Sequence, residues 1–325
     1  MTTVFPFSIH SEKDFETIAL KLFKKQIQYN SVYKEFCDYL NIKEQKVRTL
    51  KEIPFLPIEF FKTRQVKTKE FTPEVTFLSS GTTGQQQSQH HVKDLKVYEE
   101  SFIHTFEKAY GSIEDYVILG LLPSYLEREG SSLVYMVDHF IKKSKFKESG
   151  FYLDEIEQLT ETLQKIDDAG HKVLLIGVSF ALLDLVENKK FQLKHSIVME
   201  TGGMKGRRKE MIRKELHAVL SEGFGVKNIH SEYGMTELLS QAYSKGQSKF
   251  ECPNHMKIMI RDTEDPFNYL DHGSTGGINV IDMANFNSCP FIATQDLGKQ
   301  INDTEFEILG RFDQSDIRGC NLLVL

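Results

Sequence analysis

Residues His171–Gly203 read HKVLLIGVSFALLDLVENKKFQLKHSIVMETGG. Two continuous apolar runs, HKVLLIGVS and HSIVMETGG, each end in small or polar residues. Runs of that length and evenness are the mark of strands buried on both faces. GVSFALLDL between them is apolar throughout, as a helix lodged in a core would be. Strand, helix and strand in this order predict a parallel pairing with a helical crossover. The same rhythm continues on either side. YVILGLLP (Tyr116–Pro123) is another buried strand, Leu95–Tyr110 and Leu153–Ala169 have helical spacing, and RRKEMIRKELHAVLSE (Arg207–Glu222) is a charged helix. NIHSEYGMTELLSQAY (Asn228–Tyr243) reads as strand, loop and helix.

At the edges the pattern changes. Phe15, Ile18, Ala19, Leu22 and Phe23 form one stripe of an amphipathic helix, and Pro54 and Pro57 then favour an extended stretch into the core. Beyond about residue 250 the segments PNHMKIMIRDTED, HGSTGGINVIDM, CPFIATQDLGK and EFEILGRFDQSDIRG are short strands with turn signals. The expected organisation is a helical N-terminal segment (1–70) packed on the core, an α/β core (71–250) and a β-rich part (251–325) that ends in a short tail.

Composition bounds the function. The 325 residues are 40% hydrophobic and 26% charged, with a net charge of −6, so no concentrated basic surface suggests a nucleic-acid partner. No apolar run approaches the roughly 20 residues of a membrane span, and the N-terminus lacks the marks of a signal peptide. Cys37, Cys252, Cys289 and Cys320 are scattered without metal or disulfide spacing, which points to a reducing, cytoplasmic setting.

Parallel sheets place ligands at the carboxyl ends of their strands, where glycine-rich turns expose backbone N–H groups. Phe77–His91, FLSSGTTGQQQSQHH, carries such a loop: the glycines allow close backbone approach and four hydroxyls can donate to phosphate oxygens. No Gly-Lys-Ser/Thr follows, so it is not a Walker A loop. Three further motifs follow in order: SEYGMTE (Ser231–Glu237), TQDLGK (Thr294–Lys299) with Asp296 expected in a tight turn, and GRFDQSDIRGCN (Gly310–Asn321).

The ordered set resembles the adenylate-forming superfamily of acyl-CoA ligases, luciferases and peptide-synthetase adenylation domains. SEYGMTE, LPSYLEREGSSL and IRGCNLLVL are most similar to the LuxE-like acyl-protein synthetases of bacterial luciferase operons, with phenylacetate–CoA ligases as relatives. The likeness runs from about residue 50 to the end. It implies a large adenylating domain with mostly parallel sheets, and ATP and Mg²⁺ as cofactors. It also implies activation of a carboxylic acid, a fatty acid foremost, to acyl-AMP.

The resemblance implies these roles. Ser79, Ser80, Gly81, Thr82, Thr83 and Gly84 hold the triphosphate, Thr236 touches the α-phosphate and Glu237 binds the metal. Tyr233 and Gly234 face the adenine, Asp296 takes the ribose hydroxyls, and Arg311 approaches ribose or phosphate. Phe180, Gly202 and Gly203 line the acyl pocket. Each residue also has a plain structural use: Tyr233 as a core aromatic, Glu237 as a first-turn helix carboxylate, Asp296 as a turn organiser, Arg311 as a surface ion-pair partner.

Two departures stand out. The lysine that follows many family loops is missing from GQQQSQHH, leaving His90, His91 or Arg207 as substitute phosphate cations. The chain also ends about fifteen residues after Gly310, where relatives continue into a mobile domain with a catalytic lysine. Cys320 falls where the acyl-protein synthetases carry their acyl-accepting thiol, and a thiolate is a strong nucleophile toward an acyl-adenylate. As a buried small hydrophobe it would instead serve packing alone. Transfer to Cys320 would feed a separate acyl-CoA reductase or acyltransferase. The alternatives are a CoA or carrier-protein ligase that borrows a C-terminal domain, and a non-catalytic acyl-adenylate-binding subunit.

Overall fold

The computed structural model describes residues 6–69, 71–80, 86–122, 130–152, 155–202, 208 and 211–312. Helices α1 (Glu12–Tyr29) and α2 (Ser31–Tyr39) lead through β1 (Leu56–Pro57) and the short α3 (Phe60–Thr63) into the hairpin β2 (Val75–Leu78) and β3 (Gln89–Val92). Then follow α4 (Leu95–Tyr110), β4 (Val117–Leu121), α5 (Ser132–Lys143), β5 (Gly150–Phe151), α6 (Ile156–Asp168), β6 (Val173–Val178), α7 (Ser179–Asn188), β7 (Ser196–Thr201), α8 (Arg213–Phe224) and β8 (His230–Tyr233). The C-terminal part is β9 (Ala242–Ser244), β10 (Lys249–Glu251), β11 (Met256–Arg261), β12 (Thr275–Asp282), β13 (Phe291–Gln300) and β14 (Glu305–Arg311).

Among the described residues one twelve-stranded sheet runs β11-β12-β13-β14-β10-β9-β8-β7-β6-β4-β5, with β1 added parallel to β13. The segment β5-β4-β6-β7-β8 is parallel, as the apolar runs require, and the remainder is antiparallel. All of β4 and β6 is buried, because helices cover both faces. Helix α8 ends at Gly225, whose φ of 67° and a would-be Cβ 2.6 Å from the Phe191 carbonyl leave room for glycine alone.

Two cores result. One gathers α4–α8 around the parallel strands, with Phe102, Phe106, Phe140 and Leu163 at its centre. The other joins α1 and α2 to the antiparallel strands through Phe23, Tyr33, Phe250 and Phe291. The N-terminal helices are fixed to the far end of the chain by buried amides: Gln26 Nε2 donates to the Phe286 carbonyl at 3.1 Å and Asn30 Nδ2 to that of Ser288 at 3.0 Å.

Two local expectations are corrected. Asp296 is not in a tight turn but inside β13, beside a bulge between Leu297 and Gly298. No helix follows SEYGMTE; the chain turns through Gly234–Gln241 into antiparallel β9. Buried Asp282 holds that path: its Oδ2 accepts from the amides of Leu239 (2.8 Å) and Ser240 (3.0 Å), and its Oδ1 from Ser240 Oγ (2.5 Å). With no helix there, Glu237 is no helix-start carboxylate.

Candidate adenylate-forming site

Ser79 and Ser80 follow β2, and the neck of the β2–β3 hairpin is closed by side chains as well as backbone. Ser79 N donates to the Ser88 carbonyl at 3.1 Å, Ser88 N to Ser79 Oγ at 2.9 Å, and Gln87 Nε2 to the Ser79 carbonyl at 2.7 Å. Ser80 is exposed beyond the neck. Gly81, Thr82, Thr83 and Gly84 lie outside the described residues, as do Gly203, Arg207 and Cys320.

Thr236 and Glu237 face this hairpin. His90 Nδ1 lies 2.7 Å from the Thr236 carbonyl, and Asn285 Nδ2 donates to the Glu237 carbonyl at 2.8 Å. The Glu237 carboxyl is buried, and burial raises its pKa against the opposing pull of the Ser88 hydroxyl, Arg311 and Lys62. This buried carboxylate, with the Ser88 hydroxyl beside it and no contact ion pair among the described residues, offers hard oxygen donors of the kind a divalent cation takes, though no cluster of three metal-ligating side chains surrounds it there.

A second group sits across β8, β13 and β14. The Tyr233 hydroxyl donates to Asp296 Oδ2 at 2.9 Å, and Arg311 Nε to Asp296 Oδ1 at 3.0 Å. Asp296 and Arg311 are direct partners in the β13–β14 register. Tyr233 is buried, its ring edge-on to Phe306 (5.6 Å) and Phe250 (6.1 Å). It therefore fixes Asp296 rather than offering an open face for a base. Arg311 stays largely exposed, with its charge favoured first by Asp296.

At the strand ends the chain buries two carboxylates on opposite faces. Glu200 receives Ser179 Oγ (3.2 Å) and Arg213 Nε (3.3 Å) and lies 3.5 Å from His217 Nε2. Burial opposes its ionisation, but His217, Arg213 and Ser231 together hold it below the usual glutamate range. Glu232, one strand over, has the Thr201 hydroxyl at 2.5 Å and no ion-pair partner among the described residues, and burial pushes its pKa up to about 7. Gly234 makes room for it: a Cβ there would sit 2.2 Å from Glu232 Oε1. Phe180, buried on the first turn of α7, and Gly202, whose carbonyl accepts from Ser179 Oγ at 3.4 Å, lie beside this network.

Of the substitute phosphate cations, the two histidines do not fit the role. His90 is fully buried and desolvation drops its pKa to about 4; His91 is buried against Thr76 Oγ1 at 2.9 Å and lowered by desolvation and by Lys67. Both rings are neutral at pH 7. The sequence also gave no notice of Asp282, Glu200 or Glu232, whose partners lie far along the chain.

No family model and no curated protein sequence matches the chain. Solved structures do. The chain aligns over 93% of its length with an open conformation of 2-hydroxyisobutyryl-CoA ligase bound to 2-HIB-AMP and CoA, covering 70% of that protein, at a TM-score of 0.66 and 12% identity. ATP-bound MatB from Rhodopseudomonas palustris matches over 73% of this chain and 47% of its own, with TM-score 0.53 and 16% identity. FadD1, a long-chain-fatty-acid-CoA ligase from Archaeoglobus fulgidus, gives 0.51 and 15% over 73% of this chain and 51% of its own. The chain has the fold of acid–CoA ligases. It spans about half the length of MatB and FadD1. No helix among the described residues is long and apolar enough to cross a membrane.

Proposed function

We propose that the chain activates a carboxylic acid with ATP and passes the acyl group to a thiol, Cys320 of its own tail. The observation that supports this most is the joining of Tyr233, Asp296 and Arg311 on one side and Thr236 and Glu237 on the other. Both groups belong to a fold shared with ligases solved with ATP or an acyl-AMP bound.

In the first half-reaction a carboxylate oxygen of the acid attacks the α-phosphorus, the bond to the bridging oxygen breaks, and pyrophosphate leaves with the electron pair. Negative charge gathers on the phosphate oxygens, so hydroxyls and amides of the hairpin tip and the exposed Arg311 stabilise it. Asp296, already oriented by Tyr233 and Arg311, presents carboxylate oxygens to the ribose hydroxyls. Glu237 and the neighbouring hydroxyls would hold Mg²⁺, which supplies charge neutralisation when bound. In the second half-reaction a thiolate attacks the acyl carbonyl and AMP leaves, giving a thioester. A fatty acid is the first substrate class to try, and a reductase or acyltransferase the consumer of the thioester.

A second reading, with CoA as acceptor, is favoured by the ligase solved with 2-HIB-AMP and CoA, which covers nearly all of this chain. Acid-dependent exchange of labelled pyrophosphate into ATP tests adenylation. Intact mass after incubation with Mg-ATP and a panel of fatty and aryl acids, with and without Cys320→Ser, tests the acceptor. A hydroxylamine-labile adduct absent from the variant supports self-loading. Exchange without adduct, with acyl-CoA formed on adding CoA, supports the second reading, and absence of exchange with every acid removes both.

A further inference from the structure

His90 has lost the cationic role that its position suggested, and its surroundings give it another. Ser88, just before β3, and His90 within it both turn toward the Thr236–Glu237 segment. Ser88 acts on the Glu237 carboxyl, and His90 Nδ1 meets the Thr236 carbonyl at 2.7 Å. A carbonyl oxygen only accepts, so Nδ1 carries the proton and Nε2 a lone pair. That Nε2 is buried without a hydrogen-bond partner, and so is Oδ1 of Asn285, whose amide is committed to the Glu237 carbonyl. The ring also stands edge-on to fully buried Phe61 of α3, with centroids 5.9 Å apart at 87°. A phenyl ring would fill the slot without a buried nitrogen that lacks a hydrogen bond of ordinary geometry. What the imidazole adds is the bond to Thr236, across 146 positions of sequence, and a lesser interaction with the Asn285 side chain.

We propose that His90 is a positioning residue for the adenylation half-reaction. Its Nδ1–H fixes the Thr236–Glu237 pair against the β2–β3 hairpin, so that both sides meet the same triphosphate. The inference rests on the proposed adenylation. It differs from a phosphate contact in that His90 touches neither nucleotide nor acid.

The test compares His90→Asn, His90→Gln and His90→Phe. The Asn amide nitrogen can occupy the place of Nδ1, whereas Gln reaches toward Nε2 and Phe donates nothing. In acid-dependent ATP–pyrophosphate exchange, kcat falls about 10- to 100-fold in the Gln and Phe variants, the scale of a displacement of roughly 1 Å at a reacting group. It returns to within about 3-fold of wild type in the Asn variant, while KM for the acid is unchanged in all three. The melting temperature of His90→Phe equals or exceeds that of wild type. Hydrogen–deuterium exchange of peptides spanning 234–241 is faster in Phe and Gln than in Asn and wild type. Full activity in His90→Phe overturns the proposal, as does equal loss in Asn and Gln that follows their melting temperatures. If wild type shows no exchange with any acid, the adenylation reading fails by itself. The deuterium arm then decides the clamp, and equal rates in all four proteins overturn it.

Discussion

Two arginine–carboxylate pairs of similar geometry occupy opposite situations. Arg213 Nε lies 3.3 Å from Glu200 beneath the strand ends, where the side chains are 24% and 3% exposed; Arg311 Nε lies 3.0 Å from Asp296 at the rim, with 75% and 8%. The inner arginine is fully used: it also donates to the Ile308 carbonyl at 3.2 Å and covers the Phe250 ring. The outer one leaves most of its guanidinium to solvent. The same chemistry thus neutralises a buried charge in one place and presents a solvent-facing cation, anchored at one nitrogen, in the other. Glu232 is the third case, a carboxyl buried beside Thr201 with no arginine partner among the described residues, and it answers by holding its proton more tightly.

The comparison breaks most visibly if the inner pair is opened. Arg213→Met leaves Glu200 buried with the His217 ring 3.5 Å away but without its arginine. Removal of one member of a buried pair costs about 3–5 kcal/mol. Urea unfolding at pH 7 should show a loss of that order, and the double variant with Glu200→Gln should recover most of it. A loss as small as that of a surface pair would mean that water reaches Glu200.

Glu232 sharpens the contrast through pH. Its folded pKa, about 7, lies above the ordinary 4.5, so its contribution favours the folded state below pH 4.5 and is lost as pH rises through 7. At about 1.4 kcal/mol per unit the swing is on the order of 3 kcal/mol. Glu232→Gln should therefore gain stability relative to wild type between pH 5 and 7.5. Buried His90, His230 and His255, lowered by desolvation to about 4, 4 and 3, act oppositely. Their contribution is lost as pH falls below 6.5, and it is common to both proteins, so the difference curve isolates Glu232. A flat difference would place a counter-charge near this carboxyl.

These cases mark what sequence made legible. The parallel strands were readable because burial on both faces writes itself as unbroken apolar runs, and SEYGMTE and TQDLGK could be picked out because their residues are close in sequence. Asp296 was misplaced because Asp-Leu-Gly is turn chemistry by composition, while inside β13 its carboxylate is satisfied by Tyr233 and Arg311. ELLSQAY has helical spacing, yet Asp282, some forty positions on, ties its amides into a loop. Whether a histidine is a cation or a neutral clamp depends on the burial and partner of its ring, and His90 finds that partner at Thr236. Such facts belong to tertiary contacts and leave no local trace.

The smallest expected change in stability is at the rim, where it carries the most functional information. Arg311→Ala removes a guanidinium that is mostly in water, and exposed pairs contribute about 1 kcal/mol or less, so the unfolding midpoint should barely move. The adenylation reading requires a different result for activity. With its charge absent from the phosphate–ribose side, acid-dependent pyrophosphate exchange should fall about 100-fold, the scale seen when one transition-state donor is removed. Arg311→Lys should recover little, because the Nε–H held by Asp296 is what aims the group and a lysine cannot reproduce that planar fork. A variant with unchanged exchange would reduce Arg311 to an ordinary strand-edge ion pair. It would also remove the reason for treating the outer pair differently from the inner one.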